Sequence, residues 1–287
     1  MNRNDLHRSL KDILGVPVTG LTPLRGGSIS AAFQATLSDG QCIFVKTSPL
    51  SPDMFTAEAH GLQALRSADA IRIPNVLHAD EHLLLLEYLP NGPASNRKEF
   101  FELFGTQCAR LHRRTDASFG FDEDNYIGST PQKNTARSAS WAEFFMTQRM
   151  EFQFRLAEQN RLVDSTLRSA FRTLEKNILR IIPYDGEPPA LLHGDLWSGN
   201  YLILENNVPA IIDPAAYYGH READIAMTLL FGGFDPAFYR SYHEEYPLAD
   251  GWEERVEVYK LYHLFNHLNL FGTGYYKQVL ETILKVL

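Results

Sequence analysis

The sequence predicts an α+β protein of two lobes, β-rich from residue 1 to about Leu89 and mainly helical from 90 to 287, on three observations. Two strand-like runs, 28–37 and Cys42–Thr47, are joined by Asp39-Gly40, a strong hairpin signal. Pro90-Asn91-Gly92-Pro93 then breaks the strand pattern. Beyond that break, apolar positions recur mostly at helical spacing up to about Tyr184.

Taken in chain order, Leu6, Leu10, Ile13 and Leu14 give the opening segment an amphipathic helical face. Gly26-Gly27 makes a turn before the first strand of the hairpin. Ser51-Pro52-Asp53 supplies an N-cap, a proline for the first helical position and an acid for the first turn, so a helix should run to about Ser67. Two more strands are expected at 71–77 and 82–89. After the long helical stretch come strand-like pieces at 190–192, 201–204 and 208–212, with helical periodicity again from about Glu222. Trp141, Phe144 and Phe145 belong to the expected core. No internal repeat or low-complexity segment interrupts the chain.

Composition narrows the partners. With 27 Lys+Arg against 35 Asp+Glu the 287-residue chain carries a net charge of -8, and no basic run marks a nucleic-acid or anionic-lipid partner. Its 44% hydrophobic and 12% aromatic content excludes disorder as the dominant state. An acidic field suits a small amine-bearing ligand better. Cys42 and Cys108 form no CxxC pair and have no His cluster nearby, so neither a disulfide framework nor a zinc site is indicated, and reduced thiols in a cytoplasm are expected. The N-terminus lacks the apolar stretch of a signal peptide. The densest apolar run, 83–86, is far short of the roughly 20 residues that span a bilayer.

The chemistry concentrates at His193-Gly194-Asp195-Leu196-Trp197-Ser198-Gly199-Asn200, the turn between two apolar strands. Asn200 and Asp213 follow Asp195 at spacings of five and eighteen, and three such oxygen ligands suit a hard cation such as Mg²⁺. H-G-D-x-x-x-x-N followed by I-D resembles the catalytic loop and metal-binding Asp of the protein-kinase-like phosphotransferases. Ile212-Asp213-Pro214 stands where protein kinases carry Asp-Phe-Gly, which points to small-molecule kinases of the aminoglycoside and choline type.

That resemblance implies a two-lobed protein-kinase-like fold using ATP and Mg²⁺, with Asp195 meeting the substrate hydroxyl and Asn200 and Asp213 holding the metal. It also makes demands on the first lobe. Gly26, Gly27 and Ser28 would cover the phosphates with bare backbone N–H groups. Strand alternation puts Phe44 and Lys46 on one face, Lys46 for the α and β phosphates and Phe44 for the adenine. Glu58 falls within the apolar stripe of Phe55, Leu62 and Leu65, where a carboxylate either finds a partner, with Lys46 the candidate, or reaches solvent at the stripe's edge. Glu87, Tyr88 and Leu89 would form the adenine-binding hinge. His193 and Asp224 would support the catalytic loop, although Asp224 is equally readable as an acid at a helix N-terminus.

Three further stretches identify a narrower likeness. Phe119-Gly120-Phe121 with Asp124-Asn125-Tyr126-Ile127-Gly128-Ser129-Thr130-Pro131-Gln132, the run 217–224, and Asn266-His267-Leu268-Asn269-Leu270-Phe271-Gly272 resemble the fructosamine kinase (ketosamine 3-kinase) family. The likeness covers 26–272. It implies phosphorylation of a free or protein-bound ketosamine by a monomer or weak dimer, with Trp197 and His267 as substrate contacts. Taken from its neighbours alone, His267 reads equally as a core histidine. The chain departs from the family pattern at Ser28, where many members carry Cys, and at 135–139, where members often carry an additional Trp. Rival readings are an aminoglycoside- or choline-type kinase and a non-catalytic nucleotide-binding protein.

Overall fold

The computed structural model describes residues 3–24, 30–47, 49–182 and 186–287; the predicted glycine turn Gly26, Gly27 and Ser28 lies outside them. Helix α1 (Arg3–Leu14) leads into strands β1 (Val18–Pro23), β2 (Ala31–Leu37) and β3 (Cys42–Thr47). Helix α2 (Met54–Ser67) follows, then β4 (Val76–Ala79) and β5 (Leu83–Glu87). These five strands form one antiparallel sheet in the order β1-β2-β3-β5-β4. Alternation gives it two apolar faces. Ile43, Val45, Leu83 and Leu85 pack with Leu6 and Leu10 of α1. Leu84 and Leu86 join Phe55, Leu62 and Leu65 of α2 in the main core.

Three boundaries differ from the sequence reading. Helix α2 begins at Met54, with Asp53 rather than Ser51 at its cap and no capping side-chain bond, because the Asp53 carboxylate accepts from Tyr126 instead. The strand predicted from 71 begins at Val76: Pro74 lacks a donor, and Arg72 makes an isolated bridge to Ala210. Strand β1 was not expected, its Gly20 and Pro23 weakening the signal, and an edge position tolerates both.

The remainder comprises α3 (Arg97–Leu111), β6 (Asn125–Ile127), β7 (Thr130–Gln132), α4 (Trp141–Phe144), a π-helical turn over Phe145–Met150, α5 (Glu151–Gln159) and α6 (Ser165–Ile181). Then come β8 (Ala190–Leu192), β9 (Tyr201–Ile203), β10 (Pro209–Ile211), β11 (Tyr217–Gly219), α7 (Glu222–Leu230), α8 (Pro236–Glu245), α9 (Trp252–Phe271) and α10 (Tyr276–Val286). Between 112 and 140 the expected helical run gives way to the β6–β7 hairpin. Short pairs β9–β10 and β8–β11 frame the segment between them. Trp141, Phe144 and Phe145 are buried in the core, as their sequence context predicted. Helices α3 and α8 approach so closely at Gly105 that a Cβ there would run into the Phe238 carbonyl. Among the described residues no helix is long and apolar enough to cross a membrane.

Candidate active site

Lys46 projects from β3 on the face opposite Ile43 and Val45, together with Phe44. Its Nζ donates to Glu58 Oε1 of α2 at 2.7 Å and to Asp213 Oδ1 at 2.8 Å. Burial alone would depress the ammonium, but the Asp213 and Glu58 carboxylates overcome that and hold its pKa above its ordinary value. The carboxylate within the α2 stripe therefore sits on a lysine rather than in solvent.

The catalytic-loop residues hang on one buried carboxylate. Asp224, in the first turn of α7, accepts from the backbone N–H groups of His193 (2.7 Å) and Gly194 (2.8 Å). Its Oδ2 also lies 3.2 Å from His112 Nε2, whose other ring nitrogen is 2.7 Å from the Tyr242 hydroxyl. Burial would raise the Asp224 pKa, yet the hydrogen bond from His112 and the charges around it bring it below the usual carboxylate value. Gly194 has φ +82, and a Cβ there would collide with the Ala215 carbonyl, so only glycine fits between the loop and 213–216.

The His193 ring completes this scaffold. Its Nε2 is 2.9 Å from the Ile212 carbonyl and its Nδ1 accepts from the Asp195 N–H at 3.3 Å, which assigns the neutral tautomer protonated on Nε2. Burial lowers its pKa, in keeping with that neutral form.

Asp195 accepts from Asn200 Nδ2 at 3.1 Å, and the same amide donates to the Asp195 carbonyl at 2.8 Å. Burial pushes the Asp195 carboxyl up to about 7 against the Asn200 bond, with Asp213 and Asp224 adding to the rise. Asp213 adopts φ 56, a left-handed conformation that costs a non-glycine residue roughly 1–3 kcal/mol and persists where surrounding bonds over-determine it. With Nδ2 committed to Asp195, Asn200 presents its amide oxygen, and Asp213 is part-exposed with one carboxylate oxygen on Lys46. These all-oxygen donors fit Mg²⁺.

At the expected adenine end, Phe44 is half-buried on the sheet. Glu87 is engaged within the fold: its carboxylate meets Arg72 and the Asn75 N–H, and its own N–H donates to the Asn75 carbonyl. Tyr88 and Leu89 follow the strand end with no regular secondary structure.

Trp197 and His267, far apart in sequence, meet through Phe231. Trp197 is 37% exposed, and its ring covers Gly199. Its centroid lies 6.5 Å from Phe231, which is 4.7 Å from half-buried His267. Phe271 and Tyr275 stand 5.3 and 5.1 Å from His267 on its other sides. Burial lowers the His267 pKa, and its Nδ1 sits 2.8 Å from the His263 carbonyl. Sequence reasoning missed Phe231, Tyr275 and His112. The only available signal was an aromatic beside Gly232 and Gly233, and a histidine closing the buried face of α3.

Comparison with known proteins agrees with this geometry. The family model described as Fructosamine kinase matches residues 3–287. A chloroplastic protein-ribulosamine 3-kinase of Arabidopsis thaliana is 38% identical over 275 residues, covering 93% of this chain and 82% of the relative. A protein named probable ketoamine kinase in Synechocystis sp. is 41% identical over 266 residues, covering 90% and 87%. Among solved structures, a candidate fructosamine-3-kinase of Thermobifida fusca superposes with TM-score 0.89 at 32% identity over 99% of both chains. The gentamicin-bound aminoglycoside phosphotransferase APH(2")-IIa shares the two-lobed fold, with TM-score 0.66 at 16% identity over 100% of this chain and 96% of that one. A family match running nearly end to end, over a fold that gathers Lys46, Glu58, Asp195 and Asp213, makes this chain a member of the fructosamine kinase family.

Proposed function

We propose that the protein is an ATP-dependent ketosamine 3-kinase, transferring the γ-phosphoryl group to the sugar hydroxyl next to the carbonyl carbon of a fructosamine- or ribulosamine-type substrate. The product can decompose and release the free amine, so the reaction favours deglycation. The observation that carries the reading is Lys46 bonded to both Glu58 and Asp213, with Asp195 and Asn200 joined beside them.

In this reading Asp195 orients the substrate hydroxyl and accepts its proton. Lys46, fixed by Glu58, positions the phosphates, and Tyr88 and Leu89 offer backbone groups to the adenine. Asn200 and Asp213 would hold Mg²⁺, which when bound neutralises charge on the transferring phosphoryl group. Asp224 and His193 keep the loop backbone in place, so that Asp195 needs no reorganisation. Trp197 and the rings beyond it offer a flat apolar wall to the sugar-amine, and the net charge of -8 favours approach of a protonated amine. Reduced Cys42 and Cys108 accord with a cytoplasmic enzyme.

The test is turnover of purified protein with Mg²⁺ and ATP against ribulosamines, fructosamines, aminoglycosides and choline. Phosphorylation of ketosamines is the expected result. Turnover of aminoglycosides or choline alone would overturn the substrate, and no turnover of any alcohol would overturn the enzyme.

A further inference from the structure

The hairpin β6–β7 touches both halves of the Lys46 constellation. On one side its buried amides reach the segment that carries Asp213: Gln132 Nε2 donates to the Ala215 carbonyl at 2.9 Å, and Asn125 Nδ2 to the Ala216 carbonyl at 2.8 Å. Neither amide is loose. Gln132 Nε2 also donates to Asn125 Oδ1 (2.8 Å), Asn134 Nδ2 donates to the same oxygen (3.0 Å), and Tyr262 donates its hydroxyl to Gln132 Oε1 (2.7 Å). Arg149, fully buried in the π-helical turn, anchors Asn134 at 2.7 Å and lies over the rings of Tyr217 and Phe144. A π-turn that carries such a side chain inward often marks a functional site.

On its other side the hairpin grips α2, the helix of Glu58. Tyr126 donates its hydroxyl to Asp53 Oδ1 at 2.6 Å, and His60 Nδ1 lies 2.7 Å from Glu123 Oε1. Helix α2 also rests directly on the Asp213 segment, since a Cβ on Gly61 would stand 3.4 Å from Ala216 and 3.5 Å from Pro214. One short element thus ties together the two elements whose carboxylates flank Lys46.

We infer that this hairpin is a brace: Asn125 and Gln132 are positioning residues for Asp213, and Tyr126 links the brace to α2 and so to Glu58. The inference rests on the kinase reading for what the brace serves, though its mechanical part does not. Segment 212–216 is held from one face by the catalytic loop, through His193 to Ile212 and Ala215, and from the other by the two amides. Releasing the second face frees Asp213 to leave its left-handed conformation.

The full chain carrying Gln132→Leu or Tyr126→Phe tests this by backbone amide exchange, thermal melting and steady-state kinetics. Gln132→Leu should speed exchange across 211–219 about tenfold relative to the rest of the chain, the size expected for the one buried hydrogen bond, of the three it makes, that reaches this segment. It should also raise the Mg²⁺ needed for half-maximal rate about fivefold, while the KM for ketosamine stays within about twofold. Tyr126→Phe removes an exposed bond, so melting should hardly move while exchange in α2 quickens and the KM for ATP rises about two- to fivefold. Unchanged exchange at 211–219, or uniform acceleration with unaltered kinetics of the folded fraction, overturns the brace. Should Gln132→Leu not fold, Tyr126→Phe decides through α2 exchange, and no change there overturns the link. Exchange needs no turnover, so the brace can fail while the kinase reading stands, and the reverse.

Discussion

The two ends of the candidate site are built on different principles. At the Lys46 end directional bonds fix the ionic groups: Lys46 by two carboxylates, Asp224 by two backbone N–H groups and His112, Asp195 by the Asn200 amide. At the other end Trp197, Phe231, His267, Phe271 and Tyr275 touch ring to ring at 4.7–6.5 Å, and Phe271 is 59% exposed. Directional bonds in a buried site have one good arrangement, whereas ring contacts slide at small cost. On the proposed kinase reading chemistry falls to the rigid end and selectivity to the adaptable one, so substitutions should act as switches in the first and as graded tuning in the second.

The sharpest break with that contrast would come from Asp195→Asn, which keeps shape and removes the proton acceptor. Its kcat should fall roughly 10²- to 10⁴-fold with ATP binding nearly intact, measured by single-turnover kinetics and nucleotide titration. Comparable turnover in the folded mutant would remove Asp195 from its role. Next in size is Asp224→Asn, which replaces one acceptor oxygen by a donor facing N–H groups it cannot serve. Stability should drop by roughly 2–3 kcal/mol in a denaturant titration, and kcat should fall with it because the loop loses its anchor. Loss of stability alone, with kcat unchanged, would make Asp224 a fold residue only.

What the sequence disclosed follows the same division. Lys46 and Glu58 were legible because strand alternation and a charged residue inside an apolar stripe are local patterns with few physical solutions. The loop spacing likewise brought Asp195 and Asn200 into one reading. His112 was invisible because its meaning lies in Asp224, 112 residues away, and Phe231 because an aromatic after a helix looks like any core ring. The β6–β7 hairpin was lost in an expected helical run: its strands are three residues each and depend on buried amides reaching 213–216, not on their own propensity. Asp53 shows the same limit from the other side, since a residue shaped for capping serves Tyr126 instead.

His263, buried in α9 one turn before His267, reports how dry the core behind the aromatic cluster is. Burial first, then the neighbouring His267 and Arg149, pushes its pKa down to about 3, and its Nδ1 has no hydrogen-bond partner among the described residues. The unfolded chain takes up this proton near pH 6.5, while the folded chain does not until about pH 3. Stability is therefore lost as pH falls through that window, by roughly 2 kcal/mol between pH 7 and 5 from this group. Urea titrations of His263→Gln should show a flatter acid limb than the parent. An equally steep limb would mean that His263 is hydrated in the folded chain.

The smallest effect, and the one that most directly sharpens the contrast, is expected at Trp197. Its ring lies over Gly199 inside the catalytic loop and meets Phe231 edge-on at an interplanar angle of 77°, so it belongs to both ends at once. If the rim only selects, Trp197→Ala should raise the KM for ketosamine about tenfold, in line with a partly exposed cation–π and stacking surface, while kcat and the KM for ATP stay within about twofold. Phe231→Ala should do less, since Phe231 is more covered than Trp197 and packs against it and His267. The double variant should cost less than the two single effects combined, because either truncation loosens the other ring. A large fall in kcat with unchanged KM in Trp197→Ala would show instead that the ring holds the loop for Asp195. The boundary between rigid chemistry and adaptable recognition would then lie beyond Trp197, at Phe231.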